Sequence, residues 1–324
     1  MKAAVVDGPG QKPRYTDFSE PVAKEGEELI SVHASALSQL TKSRAAGAHY
    51  SSDGVFPAVA GTDGVGRTTE GQRVYFALPE APFGALAEKS LVKAQHCIPL
   101  PDDLDDIIAA AIANPGMSAW AAMVDRAQLK AGETVLVNGA TGTAGRLAVQ
   151  LAKYLGAAKV IATGRNEQEL EKVKALGADV TIPFTMGTLH PLGTKRYEQA
   201  LIQEFPNGID VVVDYLWGQS ARTIIAAIAK SVEDATPVRF VHVGGASGEA
   251  SIDLPGAGLR SSAIVLMGSG AKSVGSSKLL EAIKSVFKAT VPARLQIATK
   301  PVPLSEVEEF WSAPGKPRVV FTLG

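Results

Sequence analysis

Gly139, Gly142 and Gly145 recur at three-residue spacing in the run Asn138-Gly139-Ala140-Thr141-Gly142-Thr143-Ala144-Gly145. A residue without a Cβ lets backbone come close to a ligand, and a helix starting in such a run offers N–H groups and the positive end of its dipole to an anion. The chemistry implied is binding of a pyrophosphate. A glycine triplet alone is a frequent turn, so the flanks decide. The apolar stretch Thr134–Val137 leads straight in, and an amphipathic stretch follows with Leu147, Ala148, Leu151, Ala152 and Leu155 on one helical face. Strand, glycine loop and helix in that order are the context in which the triplet reads as a dinucleotide site.

A second chemical signal lies twenty residues beyond Gly145, where Gly164-Arg165-Asn166 closes the next apolar stretch. An acidic side chain near this distance would hydrogen-bond the ribose hydroxyls of NAD, whereas an arginine can pair with a 2′-phosphate. Arg165 therefore favours NADPH over NADH, with a merely solvated loop arginine as the alternative.

The elements around these motifs repeat. Strand candidates are Thr134–Val137, Lys159–Thr163, Asp179–Ile182, Asp210–Val213, Val238–Val243 and Ala263–Met267, mostly with helical stretches between them. Several are continuous apolar runs, as expected for strands buried on both faces of a parallel sheet. A helical face, Leu279, Leu280, Ile283, Val286 and Phe287, follows the last of them. Six such strands predict an α/β, doubly wound fold. In that fold ligands sit at the carboxyl ends of strands, so Gly244, Gly245 and Ala246 are expected to line the nicotinamide. Leu216 and Trp217 are candidates to contact the adenosine, with hydrophobic loop packing as the equal alternative, and Gly268 and Ser269 to close over the nicotinamide or join a subunit interface. His242 reads more naturally as a strand histidine than as a base.

The first ~115 residues carry turn signals and short strand-like stretches, Ala3–Val6, Glu28–His33, Gln72–Phe76 and Ala87–Val92. A helix is expected over Ile107–Met123, interrupted near Asn114-Pro115-Gly116. The tail from Val291 returns to strands and turns and is expected to fold back onto the first domain.

Composition narrows the function. The 324 residues are 46% hydrophobic and 20% charged, which is ordinary globular usage. With 32 Lys and Arg against 33 Asp and Glu, the formal charge is −1, and neither a basic excess nor a basic stripe points to nucleic acid. One cysteine, Cys97, allows no intrachain disulfide and no multi-thiolate metal site. The histidines show no metal-ligand spacing. The longest apolar run, Ile107–Ala113, is far shorter than the ~18 residues a spanning helix needs. Neither a signal peptide nor a membrane partner is expected, and the cytoplasm is the default location.

The chain resembles the zinc-free quinone oxidoreductase branch of the medium-chain dehydrogenase/reductase superfamily. Gly139–Gly145 with Ala148, Gln150, Leu151, Ala152 and Gly156-Ala157 is similar to that branch's cofactor loop and helix. Leu176-Gly177-Ala178-Asp179, the run Phe56–Gly66, Gly84–Glu88, Pro99-Leu100-Pro101 and Gly116-Met117-Ser118-Ala119-Trp120 match further motifs. The resemblance implies a GroES-like catalytic domain over 1–119 and 290–324, and a Rossmann NADP-binding domain over 120–289. It adds Ser118 to the cofactor contacts. It also implies an active site in the cleft between the domains and a homodimer joined edge to edge through Ala263–Met267.

Zinc-dependent members of the superfamily place a cysteine near Ala36–Ser38 and a histidine after Gly61; this chain has Ser38 and Thr62-Asp63. No metal is therefore expected. In the quinone reductase branch an asparagine and two tyrosines line the active site. Ser38 and Ser43 stand at or near the asparagine and first tyrosine positions, and Tyr50 at or beside the second. Glu169 and Phe184 stand near the family's 2′-phosphate-binding lysine and tyrosine positions. Tyr50 is the candidate proton donor or hydrogen-bonding group, with a pocket wall as the alternative. Ser38 and Ser43 are candidates to hold substrate or ribose, with turn or helix-cap roles as the alternative. The expected activity is hydride transfer from NADPH to a quinone or a conjugated carbonyl compound. The rivals are a 2-enoyl or alkenal/enone reductase and an NADPH-binding crystallin-like or regulatory protein with little turnover.

Overall fold

Ile30, Val32, Ala34 and Ala36 are all buried, the two-residue period of a strand with one face in a core. They belong to β3, around which the first unit is built. The computed structural model describes residues 1–49, 52, 54–186 and 191–323. Its contacts divide it into two units, Met1–Asn114 with Ile297–Gly324, and Pro115–Gln296. The expected boundaries fell at 119/120 and 289/290.

The first unit opens with β1 (Lys2–Val6), β2 (Arg14–Asp17), β3 (Glu27–Ala36), α1 (Gln39–Ala45), β4 (Ala58–Val59), β5 (Asp63–Arg67), β6 (Arg73–Ala77), β7 (Lys89–Lys93) and β8 (Cys97–Pro99). Helix α2 (Asp106–Trp120) follows. It runs through Pro115 and Gly116 without the expected interruption. The irregularity comes later, as a π-helical segment over Ala121–Arg126. A helix can continue past a proline when the rest of its apolar length is packed, and here Ala109–Ala113, Ala119 and Ala121–Met123 are fully buried. By length and composition Asp106–Arg126 could cross a membrane, and 61% of that window lies inside the protein.

The second unit contains β9 (Thr134–Asn138), α3 (Thr143–Tyr154), β10 (Lys159–Gly164), α4 (Glu167–Lys174), β11 (Val180–Pro183), α5 (Pro191–Glu204), β12 (Val211–Asp214), α6 (Gly218–Ser231), β13 (Pro237–His242), α7 (Gly256–Arg260), β14 (Ala263–Gly268) and α8 (Ser276–Thr290). The tail adds β15 (Thr299–Pro303), α9 (Val307–Phe310) and β16 (Arg318–Thr322) to the first unit.

All six expected parallel strands form, in the order β11-β10-β9-β12-β13-β14. This is the doubly wound order, with its switch point between β9 and β12. β9 and β12 are buried throughout, which explains their continuous apolar sequence. In the first unit, β1 lies between β2 and β4, and the larger sheet runs β15-β16-β3-β5-β6-β8 with β7 also paired to β3. β16 enters this sheet antiparallel to β3, through Val320 opposite Ala36 and Thr322 opposite Ala34.

Candidate functional site

The glycine loop lies where β9 ends and α3 begins. Gly139 has a φ of +88°, a conformation that L side chains rarely adopt. A methyl group at Gly145 would overlap the Gly139 carbonyl oxygen and come within 2.7 Å of the Ala140 Cα. Gly145 thus lets the helix pack down on the loop. Gly142 differs: the nearest heavy atom to a Cβ there is 3.5 Å away, and as N-cap of α3 it offers no side chain to the first turn. The helix N-terminus is capped by no side chain of Gly142 and is approachable over a residue with no Cβ, which fits a pyrophosphate. Ala140 is buried beneath the loop, while Thr141, Thr143 and Ala144 are half-buried on it. Leu216 packs against Gly139, so it lies beside the loop.

Four strands end in one hydrogen-bonded row. Thr163 on β10 donates to Asn138 Oδ1 on β9 at 2.8 Å, and Asn138 Nδ2 donates to Asp214 Oδ1 on β12 at 2.8 Å. Asp214 Oδ2 lies 3.0 Å from Nδ1 of His242 on β13. These residues are also register partners in the sheet. Asp214 further accepts the backbone N–H groups of Leu216 and Trp217, each at 3.1 Å. Trp217 has a φ of +62° and its ring packs at a 41° tilt against His242, with centroids 4.5 Å apart. The row fixes the carboxyl ends of β9, β10, β12 and β13 and the turn after β12.

The other cofactor candidates surround this row. Ser269 N–H donates to the His242 carbonyl at 2.8 Å, and Arg126 Nε donates to that of Gly268 at 2.8 Å. Ala246 N–H donates to the Tyr215 carbonyl at 3.0 Å, and a Cβ at Gly245 would meet nothing within 4 Å. A Cβ at Gly244 would come no closer than 3.5 Å to any neighbour. Ser118 lies on α2 and its hydroxyl donates to the Pro115 carbonyl at 2.9 Å.

At the far end of the loop, Gly164 closes β10, and a Cβ there would lie 2.7 Å from Thr141 Cγ2. Arg165 is exposed beside it, on the rim of a cavity of about 840 Å³ against β11 and α5. Asn166 caps α4 by accepting the Glu169 N–H at 3.0 Å. Phe184 is buried in the sheet core, against Tyr197.

Ser38, Ser43 and Tyr50 are in the first unit. Ser38 is buried at the N-cap of α1, where its Oγ accepts the Thr41 N–H at 2.9 Å, so it holds the helix-cap position. Ser43 is half-buried within α1. Tyr50 lies outside the described residues. From Ser38 a chain of hydroxyls runs inward: Ser38 Oγ to Thr41 Oγ1 at 2.9 Å, Thr41 Oγ1 to Thr62 Oγ1 at 3.3 Å, and Thr62 Oγ1 to Asp63 Oδ1 at 2.6 Å. Tyr75 donates to the other Asp63 oxygen at 3.1 Å. Burial pushes the Asp63 carboxyl above its ordinary value, opposed by the Thr62 hydrogen bond, the Arg318 charge and the Tyr75 hydroxyl. Hydroxyls around one buried carboxylate are not the thiolate and imidazole set that holds a tetrahedral zinc. Among the described residues no group of three His, Cys, Asp or Glu is arranged to hold a metal ion.

The family described as zinc-binding dehydrogenase matches residues 144–286, within the second unit. A probable NADPH-dependent quinone reductase from Emericella nidulans is 29% identical over 92% of both chains. The solved quinone oxidoreductase of Thermus thermophilus is 25% identical, covers all of both chains and superposes with a TM-score of 0.79. Over nearly its whole length the chain is therefore similar to enzymes of the quinone reductase type. An NADPH-dependent alkenal/one oxidoreductase from Arabidopsis thaliana is 32% identical over 60% of this chain, which spans 51% of that relative's length.

Sequence reasoning missed the row joining Thr163, Asn138, Asp214 and His242, and the ion pair between Arg146 Nη2 and Glu169 Oε2 at 2.6 Å. The polar residue closing each apolar strand was the available signal for the first. The arginine directly after Gly145 was the signal for the second.

Proposed function

We propose that the protein is a zinc-independent, NADPH-dependent reductase that transfers hydride to a quinone or a conjugated carbonyl compound. The observation that carries this reading is the α3 N-terminus, entered over Gly142 and set at the β9/β12 switch point. The names of the Emericella and Arabidopsis relatives support the cofactor and the substrate class.

NADPH, when bound, supplies the hydride. Gly139, Ala140, Thr141, Gly142, Thr143, Ala144 and Gly145 receive its pyrophosphate, and Gly164, Arg165 and Asn166 its adenosine end. Leu216 packs beside them, and Ser118 adds a hydroxyl. Gly244, Gly245 and Ala246, with Gly268 and Ser269, leave room for the nicotinamide. Catalysis in such a site is chiefly positioning, with donor and acceptor atoms about 3–3.5 Å apart. The reduced product needs a proton, which Tyr50 donates, while Ser43 holds the substrate and Ser38, its hydroxyl turned to Thr41, fixes the start of the helix that carries Ser43.

The protein acts as a cytoplasmic homodimer. β14 is an edge strand whose Val265 and Leu266 are exposed, an apolar edge of the kind a second copy covers. A chain with one cysteine suits a reducing compartment.

The test is oxidation of NADPH and NADH by the purified protein with a quinone and with an α,β-unsaturated ketone. Turnover of the quinone with NADPH preferred is expected. Turnover of the enone alone moves the protein to the alkenal/enone class. Tight NADPH binding without any turnover contradicts the enzymatic reading.

A further inference from the structure

Arg146 follows Gly145 directly and so belongs to the first turns of α3. Its side chain runs sideways towards α4. Nη2 lies 2.6 Å from Glu169 Oε2, and Nε donates to the Thr141 carbonyl at 3.3 Å. Glu169 is itself anchored, because its backbone N–H is the one capped by Asn166. The guanidinium is thus bracketed by the glycine loop on one side and the β10–α4 turn on the other. Between these two elements a dinucleotide fold reads the adenosine ribose.

We infer that Arg146 binds the adenosine 2′-phosphate and that Glu169 is the partner the phosphate displaces, so that this ion pair sets the preference for NADPH over NADH. The inference rests on the NADPH reading above and adds to it a residue other than Arg165.

Three observations carry it. Both Glu169 oxygens are engaged by cations: Oε2 by Arg146, and Oε1 by Lys172 at 2.7 Å. A carboxylate so engaged is poorly placed to accept the two ribose hydroxyls of NADH. When Arg146 turns to a phosphate, Lys172 remains on Glu169, so no carboxylate is stranded. The pair is also only partly exposed, with side-chain exposures of 22% and 26%, so solvent and salt screen it less than a surface pair. A phosphate offers three strong acceptor oxygens and about twice the charge of a carboxylate, and the planar guanidinium fork matches it. Arg165, exposed at the end of β10, supplies a second cation.

The test is equilibrium titration, by calorimetry, of the full chain with NADPH, NADH, 2′,5′-ADP and 5′-AMP; the last two report the 2′-phosphate without the nicotinamide or turnover. Arg146→Gln should weaken NADPH and 2′,5′-ADP by about tenfold or more, the size expected for a charge-assisted contact, and leave NADH and 5′-AMP within about twofold. Glu169→Gln should tighten NADPH and 2′,5′-ADP severalfold, and it provides a second reading should Arg146→Gln fail to fold. If the wild-type protein prefers NADPH while neither variant shifts the NADPH-to-NADH ratio, the inference is overturned and the cofactor reading stands. If the wild-type protein shows no preference for NADPH, both are overturned.

Discussion

Asp214 and His242 face each other across neighbouring parallel strands, with Oδ2 3.0 Å from Nδ1. The carboxylate is completely buried, and its other oxygen takes the Asn138 amide and the Leu216 and Trp217 N–H groups. One side chain therefore ties β9, β12 and β13 together at the end of the sheet where a cofactor binds, and holds Trp217 in its left-handed backbone conformation.

Replacing Asp214 by Ala strands several buried donors at once. Each unsatisfied group costs about 1–3 kcal/mol, so a loss of about 3–5 kcal/mol is expected in chemical denaturation followed by a probe in the second unit. Asp214→Asn, which keeps one acceptor, should cost clearly less. A loss below about 1 kcal/mol for the alanine variant would show that the row does not hold the strand ends.

Gly142 and Gly145 should separate binding from packing. Gly145→Ala forces a methyl into the Gly139 carbonyl and the Ala140 Cα, so both thermal stability and NADPH binding should fall. Gly142→Ala meets only ordinary contact in the fold, so the melting temperature should shift little. Gly142 is the N-cap of α3, however, so the methyl stands at the helix N-terminus and NADPH affinity should drop about tenfold or more. Equal, small effects of the two variants on binding would argue against pyrophosphate at this loop.

Cys97 gives a pH prediction. Its thiol is pushed up to about 11, first by burial and then by the negative charge of Glu28. At pH 8 only about one thiol in a thousand is ionised, against roughly a quarter for an ordinary cysteine. Iodoacetamide should label the native protein hundreds of times more slowly than the denatured chain, with the rate rising towards pH 11. The fold favours the neutral thiol, so its contribution to stability is complete below the ordinary cysteine value near 8.5 and is lost as pH rises through about 11. Rapid labelling at pH 7 would contradict the placement of Cys97.

The β14 edge makes the assembly testable. Val265→Lys or Leu266→Lys puts a charge on the exposed apolar edge with little effect on the second unit's core. Sedimentation should change from dimer to monomer while the melting profile of the monomer stays cooperative. A dimer that survives both substitutions is joined elsewhere.

The second unit was legible because its strands are covered on both faces. Val135–Val137 and Val211–Val213 read as strands without any knowledge of their neighbours. The glycine loop was legible because its three glycines stand between a strand and a helix. The Asn138–Asp214 contact was not, since β9 and β12 become neighbours only after two crossovers have been laid down on the other side of β9. In the first unit β2, β4, β5 and β8 went unread. They are two to five residues long, and Gly64 and Gly66 in β5 pack their backbone against Ala34 and Ser31 rather than showing an apolar pattern. Pro115 misled in the opposite sense, because the buried alanines around it outweigh the hydrogen bond it removes. Ser38 showed its residue type but not its engagement with Thr41.

The most direct test is single-turnover reduction of an α,β-unsaturated ketone with NADPH carrying deuterium on its transferable C4 position, using protein freed of metal by a strong chelator. The account predicts one deuterium on the β-carbon of the product, at a rate that added zinc does not change. Product without deuterium, or activity that disappears with the chelator and returns with zinc, would contradict it.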